Sequence, residues 1–319
     1  MHRVGYLLSD GFQVMALASQ AVFEYANLVL QESFYRVESY SVAGGEVCSS
    51  LGMSVSTRPL SARASIDTWI AVGVNTPFTS PTPAEVLVFL RKAAMRARRI
   101  AGICTGGFVL AEAGLLANRR ATTHWAYARE MTSRYPDIRV EEDRIYIVDG
   151  PIWTSAGMTA GLDLALGMVE KDHGEEVARS VAHKLVMHQR RSGGQSQHSE
   201  MLDLAPKSDR IQDALIYARK NLSRPLPVEE LASAAHLSPR QFSRVFAVET
   251  GQSPAKAIEG LRLEAARLMI EKSRHSLEVI AKETGFRDRR HMREAFMRGF
   301  GLPPQEVRRE ARAGDEVGA

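Results

Sequence analysis

The sequence predicts a two-domain protein: an α/β domain on a mainly parallel sheet, then an all-α domain with two helix-turn-helix units. Three observations carry this prediction. Short β-rich apolar runs alternate with helical patterns through residues 1–189. Residues 190–199 then lack any apolar side chain. The part that follows repeats itself at an offset of about 49–50 residues. A length of 319 residues suits two domains of roughly 100–200 residues each.

In the first part, Val4–Leu8, Tyr35–Val42, Thr68–Val74 and Arg99–Cys104 read as strands, several bounded by turn residues such as Ser9-Asp10-Gly11 and Gly44-Gly45. Ala18–Gln31, Pro83–Ala97 and Thr105–Leu116 carry helical spacing between them. Strands alternating with helices imply a parallel sheet covered on both faces. Further strands are expected at Ile138–Glu141, Ile145–Val148 and Ile152–Ser155, and helices at Gly157–Asp172 and Glu175–Gln189.

The polar stretch marks a boundary. The expected organisation is a domain over 1–189, a linker over 190–206, a second domain over 207–312 and a tail over 313–319. Residues 207–312 hold about 21 Lys and Arg against about 14 Asp and Glu, a net of about +7, whereas residues 1–206 come to about −1. A basic C-terminal part suggests a polyanionic partner.

The repeat names that partner more sharply. Val228-Glu229-Glu230-Leu231-Ala232 aligns with Leu277-Glu278-Val279-Ile280-Ala281, and Phe242-Ser243-Arg244-Val245-Phe246 with Met292-Arg293-Glu294-Ala295-Phe296. Gly251 and Pro254 match Gly301 and Pro304, and the two copies differ by one turn residue. Each copy has a short helix with a small inner residue (Ala232, Ala281), a turn with an apolar residue (Leu237, Phe286), and a second helix with apolar residues four apart. Ser238 before Pro239 suits a helix N-cap, and Asp288 serves the second copy. The outward positions are Arg240, Gln241, Ser243 and Arg244, then Arg289, Arg290, His291 and Arg293; these residue types contact phosphates and base edges. Between the copies, Ala255–Lys272 reads as one amphipathic helix with Ile258, Leu261, Ala265, Leu268 and Met269 on a face. At roughly 27 Å it could hold two recognition helices about one DNA turn apart. A plain helical bundle with a basic surface is the alternative, and two units in register speak against it.

These residues resemble the AraC family of transcription regulators over about Asp209–Arg309, on Phe242 to Phe246, Glu249-Thr250-Gly251, Ser253-Pro254, and Ile280-Ala281 through Gly285-Phe286 to Phe300-Gly301 and Pro303-Pro304. The resemblance implies operator DNA as partner. It also implies that the first recognition helix is the stronger base reader. Glu294 stands where Arg244 stands in the first copy, so the second helix is expected to bind mainly through phosphate.

In the N-terminal part, Gly102-Ile103-Cys104-Thr105-Gly106 joins a strand to a helix in a nucleophile-elbow spacing. This predicts an exposed cysteine at a helix N-terminus, where the thiolate is favoured, with His124 as a partner. A small residue at a tight turn explains the same pattern, and the two readings stay open. The region about 1–188 resembles the PfpI-like branch of the class I glutamine amidotransferase superfamily, in the form of the sensor domain of GlxA-type regulators. Asp10-Gly11-Phe12-Gln13, Ile103 to Ala111, Gly114-Leu115-Leu116 and Arg120 to Trp125 carry the resemblance. It implies a flavodoxin-like, amidotransferase-like fold. Enzymes of that superfamily use an acid from the first strand-helix loop. Here Gln13 to Ser19 contains no carboxylate, and the third-strand loop is altered to Val72-Gly73-Val74-Asn75-Thr76.

A regulator with a non-catalytic sensor domain is therefore expected. Its candidate effector pocket is Asp10, Asn75, Cys104, Thr105 and His124, at the carboxyl ends of the strands. The resemblance suggests an amino acid or betaine-like effector. The expected assembly is a homodimer, with RNA polymerase a partner if the regulator is an activator. The competing readings are a cysteine-dependent amidase or hydrolase with a DNA-binding appendage, and an architectural DNA binder. No catalytic residue, cofactor or metal is expected, because Cys48 and Cys104 alone make no ligand set. No run reaches the ~18 apolar residues of a membrane span, and the N-terminus lacks a signal-peptide pattern, so the expected location is the cytoplasm.

Overall fold

Strands that are buried on both faces sit at the centre of the N-terminal unit, as continuous apolar runs require. The strands are β1 (His2–Leu7), β2 (Tyr35–Ser41), β3 (Gly45–Cys48), β4 (Ser54–Pro59), β5 (Thr68–Val72), β6 (Arg99–Ile103), β7 (Arg120–Ala121), β8 (Arg139–Val140), β9 (Tyr146–Asp149) and β10 (Ile152–Ser155). A computed structural model describes residues 1–61, 65–79, 81–187, 204 and 208–309. The chain divides into two units, Met1–Gln197 and His198–Ala319. The expected linker, apart from Leu204, and the expected tail lie outside the described residues; Leu204 is buried in the core of the second unit.

Eight strands form one sheet in the order β3-β4-β2-β1-β5-β6-β10-β9. Pairing is parallel from β4 to β10 and antiparallel at the two edge pairs. Alternate side chains feed two cores. Val4, Tyr6, Ile70, Val72, Ala101, Ile103 and Trp153 face α1 (Gln20–Leu30), and later α5 (Met158–His173) and α6 (Glu175–Lys184). Leu7, Trp69, Ala71, Ile100 and Ile152 face α2 (Ala84–Ala94) and α3 (Gly106–Glu112). The result is the expected αβα sandwich. The chain enters α1 through a 3-10 turn, Val14–Ser19.

Several elements depart from the sequence reading. The β3–β4 hairpin is mostly exposed and polar, so no apolar alternation announced it. α4 (Trp125–Arg134) buries only Ala128 and Met131, too thin a stripe to read as a helix. The strand expected at Ile138–Glu141 shrinks to β8, which pairs with β7 in a separate two-stranded ribbon. The helix expected to run to Gln189 ends at Lys184, and Gln189 lies outside the described residues.

The second unit is helical: α7 (Asp209–Lys220), α8 (Val228–Ala234), α9 (Pro239–Thr250), α10 (Pro254–Lys272), α11 (Leu277–Glu283) and α12 (Arg289–Phe300). It has two cores. Ile211, Leu215, Leu231, Ala232, Phe242 and Phe246 build the first, and Ile280, Ala281, Phe286, Met292 and Phe296 the second. α10 serves both, which corrects the single apolar face expected of it. Ala257, Ile258 and Leu261 enter the first core, while Leu263, Ala266 and Ile270 enter the second. At ~100° per residue these sets lie on roughly opposite sides of the helix. Ala265, Leu268 and Met269 are only partly buried for that reason.

Candidate effector pocket and nucleic-acid interface

The sheet reverses its winding between β1 and β5, where β1 has β2 on one side and β5 on the other. Ligands of open α/β sheets bind beyond the carboxyl ends of strands at such a switch point. The Asp10–Gln13 segment, the Gly73–Asn75 loop and the cysteine elbow all lie at that end.

At the elbow, Cys104 adopts φ +57°, the left-handed conformation that a strand-to-helix nucleophile turn requires. The flanking glycines allow it. A Cβ on Gly106 would fall 2.2 Å from the Ala71 carbonyl oxygen, and one on Gly102 would fall 2.9 Å from the Gly106 backbone. Cys104 N–H donates to the Ser155 carbonyl (3.1 Å), and Thr123 Oγ1 donates to the Cys104 carbonyl (3.1 Å). The backbone strain is thus held from both sides.

The thiol itself is buried, which corrects the exposed cysteine expected at this turn. Burial pushes its pKa up to about 11, against the opposing pull of the Thr105 N–H and the Gln13 side chain. The expected thiolate is therefore not favoured: desolvation outweighs the N-terminus of a seven-residue helix.

Gln13, a neutral amide, lies beside the thiol. Its backbone N–H donates to the Gly73 carbonyl (3.0 Å) and its Nε2 to Asn75 Oδ1 (3.1 Å). Its Oε1 is buried and makes no hydrogen bond to described residues, and the same holds for Ser155 Oγ at the end of β10. Buried polar atoms without partners are uncommon and call for an explanation. Both were missed from the sequence, although the absence of a carboxylate at Gln13–Ser19 was the available signal.

The five expected pocket residues are placed as follows. Thr105 is buried, and its Oγ1 donates to the Val74 carbonyl (2.7 Å), tying the elbow to the third-strand loop. Asn75 is exposed, held by Gln13 and, through its carbonyl, by Tyr127 OH (3.0 Å). Asp10 is exposed and accepts from Cys48 N–H (3.2 Å). His124 Nδ1 accepts from Ala126 N–H (3.2 Å) and so caps α4, its ring resting between Trp125 and Tyr127. Thr105, Asn75 and Cys104 are brought together around Gln13, while Asp10 and His124 are occupied with local backbone.

In the helical unit both helix-turn-helix units form. Leu237 N–H donates to the Ala232 carbonyl (2.9 Å), and Phe286 N–H to the Ala281 carbonyl (2.8 Å), so the two turns superpose in pattern. The residue preceding each is left-handed: His236 at φ +55° and Gly285 at φ +78°. The extra residue of the second copy is Arg287, between Phe286 and the cap Asp288. Ser238 and Gln241 form a reciprocal capping box, with Gln241 Oε1 accepting from Ser238 N–H (3.2 Å) and Oγ (2.8 Å). In the second copy, Asp288 accepts from His291 N–H (2.7 Å), and His291 Nδ1 accepts from Arg287 N–H (3.3 Å). Gln241 and His291 thus fold back onto their helix starts. Ser243 Oγ donates to the Pro239 carbonyl (3.0 Å).

The outward faces follow from the buried ones. Phe242 and Phe246 point inward from α9, which leaves Arg240 and Arg244 at the centre of the outer face. Met292, Ala295 and Phe296 point inward from α12, which leaves Arg290 and Glu294 there, with Arg293 alongside. Arg240, Arg244, Arg289 and Arg293 are exposed and make no hydrogen bond or ion pair to described residues. Arg290 Nε donates to Glu294 Oε1 (3.0 Å). Both helices lack acidic residues in their first turns and carry arginine there (Arg240 after Pro239; Arg289 and Arg290), against the dipole preference, whereas α8 carries Glu229 and Glu230 and α11 carries Glu278 there. Arginines kept at an unfavourable helix end, and kept bare, suit a polyanion.

Comparison with known proteins agrees with both halves. Residues 14–171 match the DJ-1/PfpI family, and residues 231–310 match a helix-turn-helix domain family. The chain is 32% identical over 306 residues to the HTH-type transcriptional regulator CdhR of Pseudomonas aeruginosa, covering 95% of this chain and 90% of that one. It is 30% identical over 324 residues to the HTH-type transcriptional regulator GlxA of Rhizobium meliloti, covering 98% and 97%. A solved AraC family transcriptional regulator from Pseudomonas putida superposes with a TM-score of 0.53 at 24% identity, over 58% of this chain and 100% of that one, a likeness of fold. The chain belongs to the GlxA-like branch of the AraC family of transcription regulators, in which a DJ-1/PfpI domain is joined to a double helix-turn-helix domain.

Proposed function

We propose that the protein is a cytoplasmic, homodimeric regulator whose N-terminal domain senses a small metabolite and whose C-terminal domain binds an operator. The division of labour is 1–189 for sensing and dimerisation, 190–206 as a tether, 207–312 for DNA and 313–319 as a tail. Among the described residues no helix is long and apolar enough to cross a membrane.

One observation carries the DNA reading: two helix-turn-helix units share α10 and turn arginine-centred recognition helices outward. At roughly 28 Å, α10 suits two helices set in successive major grooves. Arg240 and Arg244 read guanine edges, while Arg289, Arg290 and Arg293 hold phosphate. Gln241, Ser243 and His291 act chiefly by fixing the helix starts and backbone beside those arginines. Footprinting of the full chain tests this. Two protected clusters about one helical turn apart support it, and a single cluster or uniform protection removes the two-groove reading.

The effector site is the elbow region around Asp10, Asn75, Cys104, Thr105 and His124. The position of the elbow and the Gly73–Asn75 loop at the carboxyl ends of the strands supports it, since open α/β sheets bind ligands there. Amino acids and betaine-like compounds form the first panel for a thermal-shift screen, because a ligand selective for the folded state raises the melting temperature. If the regulator is an activator, RNA polymerase is its further partner. The elbow geometry alone favours a second reading, a thiol hydrolase. The neutral Gln13 beside a buried thiol weakens it. Multiple-turnover release of ammonia or amine, abolished by Cys104→Ser, would promote it.

A further inference from the structure

We propose that Glu294 is a base-reading residue: its carboxylate accepts a hydrogen bond from the exocyclic amine of a cytosine in the second half-site, with Arg290 bracing it. This rests on the reading of α12 as a groove-entering helix.

Glu294 sits at the centre of the outward face of α12, the position that Arg244 holds on α9. It is half exposed and pairs with Arg290, itself 86% exposed, through Nε and Oε1 at 3.0 Å. Folding does not account for the pair. Exposed ion pairs contribute little. The order, Arg followed by Glu four residues later, is also the weaker one for a helix. Nor does simple phosphate binding account for it, since a carboxylate facing the backbone would weaken every contact around it. A carboxylate in a major groove gains only where a base offers a donor, and cytosine N4 is the donor that Glu accepts from. Arg290 lowers the cost of bringing that negative charge to DNA. Its Nε holds one carboxylate oxygen, so the second oxygen remains for the base and the terminal guanidinium nitrogens remain for phosphate. On α9 no such pair is possible, because Arg240 and Arg244 both carry positive charge.

The test is selection from a random duplex pool with the full-length wild type, Glu294→Gln and Glu294→Ala, followed by binding measurements on the wild-type winner and on random DNA. The wild type is expected to enrich cytosine at one position of one half-site. Glu294→Gln is expected to move that preference to adenine, the base that Gln contacts bidentately, with other positions unchanged. Glu294→Ala is expected to lose the preference and to bind the wild-type winner on the order of ten-fold more weakly. Tighter binding of Glu294→Ala to every sequence alike would overturn the proposal and leave the phosphate reading of α12 standing. If Glu294→Gln and Glu294→Ala select the wild-type sequence unchanged, the proposal also fails. If Arg290→Ala and Arg293→Ala in addition leave affinity untouched, α12 is outside the groove and the broader reading falls with it.

Discussion

The two helix-turn-helix units repeat one turn geometry, with Arg287 inserted in the second, and two of the matched positions at which they differ are instructive. In the turn, the first unit has His236 where the second has Gly285, both left-handed. On the recognition helix, the first has Arg244 where the second has Glu294. The first difference concerns packing. His236 shows that the turn tolerates a side chain. Gly285 cannot carry one, because a Cβ there would lie 1.9 Å from the Leu222 carbonyl oxygen and 2.7 Å from Arg262 Nε. Arg262 donates to the Leu222 carbonyl (3.3 Å) and the Arg224 carbonyl (2.7 Å), so the chain between α7 and α8 is drawn onto the second turn. The glycine is demanded by contact with the other half, not by the turn itself. The second difference concerns function, since Arg244 and Glu294 are both solvent-facing and neither supports a core.

The packing difference between the two turns should show most strongly in stability. Gly285→Ala should destabilise the protein by about 2–5 kcal/mol, combining left-handed strain with overlap on Leu222. His236→Gly should stay within about 1 kcal/mol of wild type, since it relieves a mild strain and adds freedom to the unfolded chain. Urea melts of the full-length variants compare the two. Equal destabilisation would mean that the turns are equivalent and that the Leu222 contact is unimportant.

On the functional side, Arg244→Ala should cost roughly 1–3 kcal/mol on operator DNA and relax the preference at one base pair. Affinity for random DNA should change far less. Binding assays on both duplexes decide this, and an equal loss on both would make Arg244 a phosphate contact.

Much of this comparison was legible in the sequence, and the unread parts share a cause. The repeat, its one-residue difference, the caps Ser238 and Asp288 and the inward aromatics all appear as local patterns, because a helix-turn-helix is built from contacts between residues close in sequence. The central strands were legible because burial on both faces makes them continuously apolar. What escaped depends on residues far apart. The opposite faces of α10 follow from two cores that no window along α10 reveals. The glycine at 285 needs Leu222. The raised pKa of Cys104 needs burial in a core assembled from segments as distant as Val4 and Leu164. The polar edge hairpin β3–β4 and the thinly buried α4 escaped because each meets the core along too little of its surface to leave a periodic signal.

The two thiols differ in burial and should differ in reactivity. Cys48 is exposed and Cys104 is buried with its pKa raised to about 11. At pH 8 a thiol-disulfide reagent should therefore label one thiol per folded chain, and the second only after denaturation. The sign follows from the raised pKa. Cys104 favours the folded state fully at pH values below the ~8.5 of a free thiol, and this contribution is lost as pH climbs toward about 11. Fast labelling of Cys104 at neutral pH would return it to the reactive-nucleophile reading.

The smallest effect sharpens the contrast between the recognition helices. Arg289 and Arg293 are exposed and unpaired among the described residues, whereas Arg290 shares its charge with Glu294. A phosphate contact releases bound counterions, so each one lost should lower the slope of log affinity against log salt by about 0.9. Arg289→Ala and Arg293→Ala should each show that full decrement, with operator and random DNA weakened alike. Arg290→Ala removes a cation whose partner carboxylate stays behind, so its weakening should be the larger of the three at low salt. That excess should shrink as salt screens the exposed Glu294 over a Debye length of roughly 10 Å at 0.1 M. A salt titration of the three variants on one duplex separates these cases. Identical slopes and affinities for all three would show that the pairing of Arg290 with Glu294 does not survive at the DNA surface.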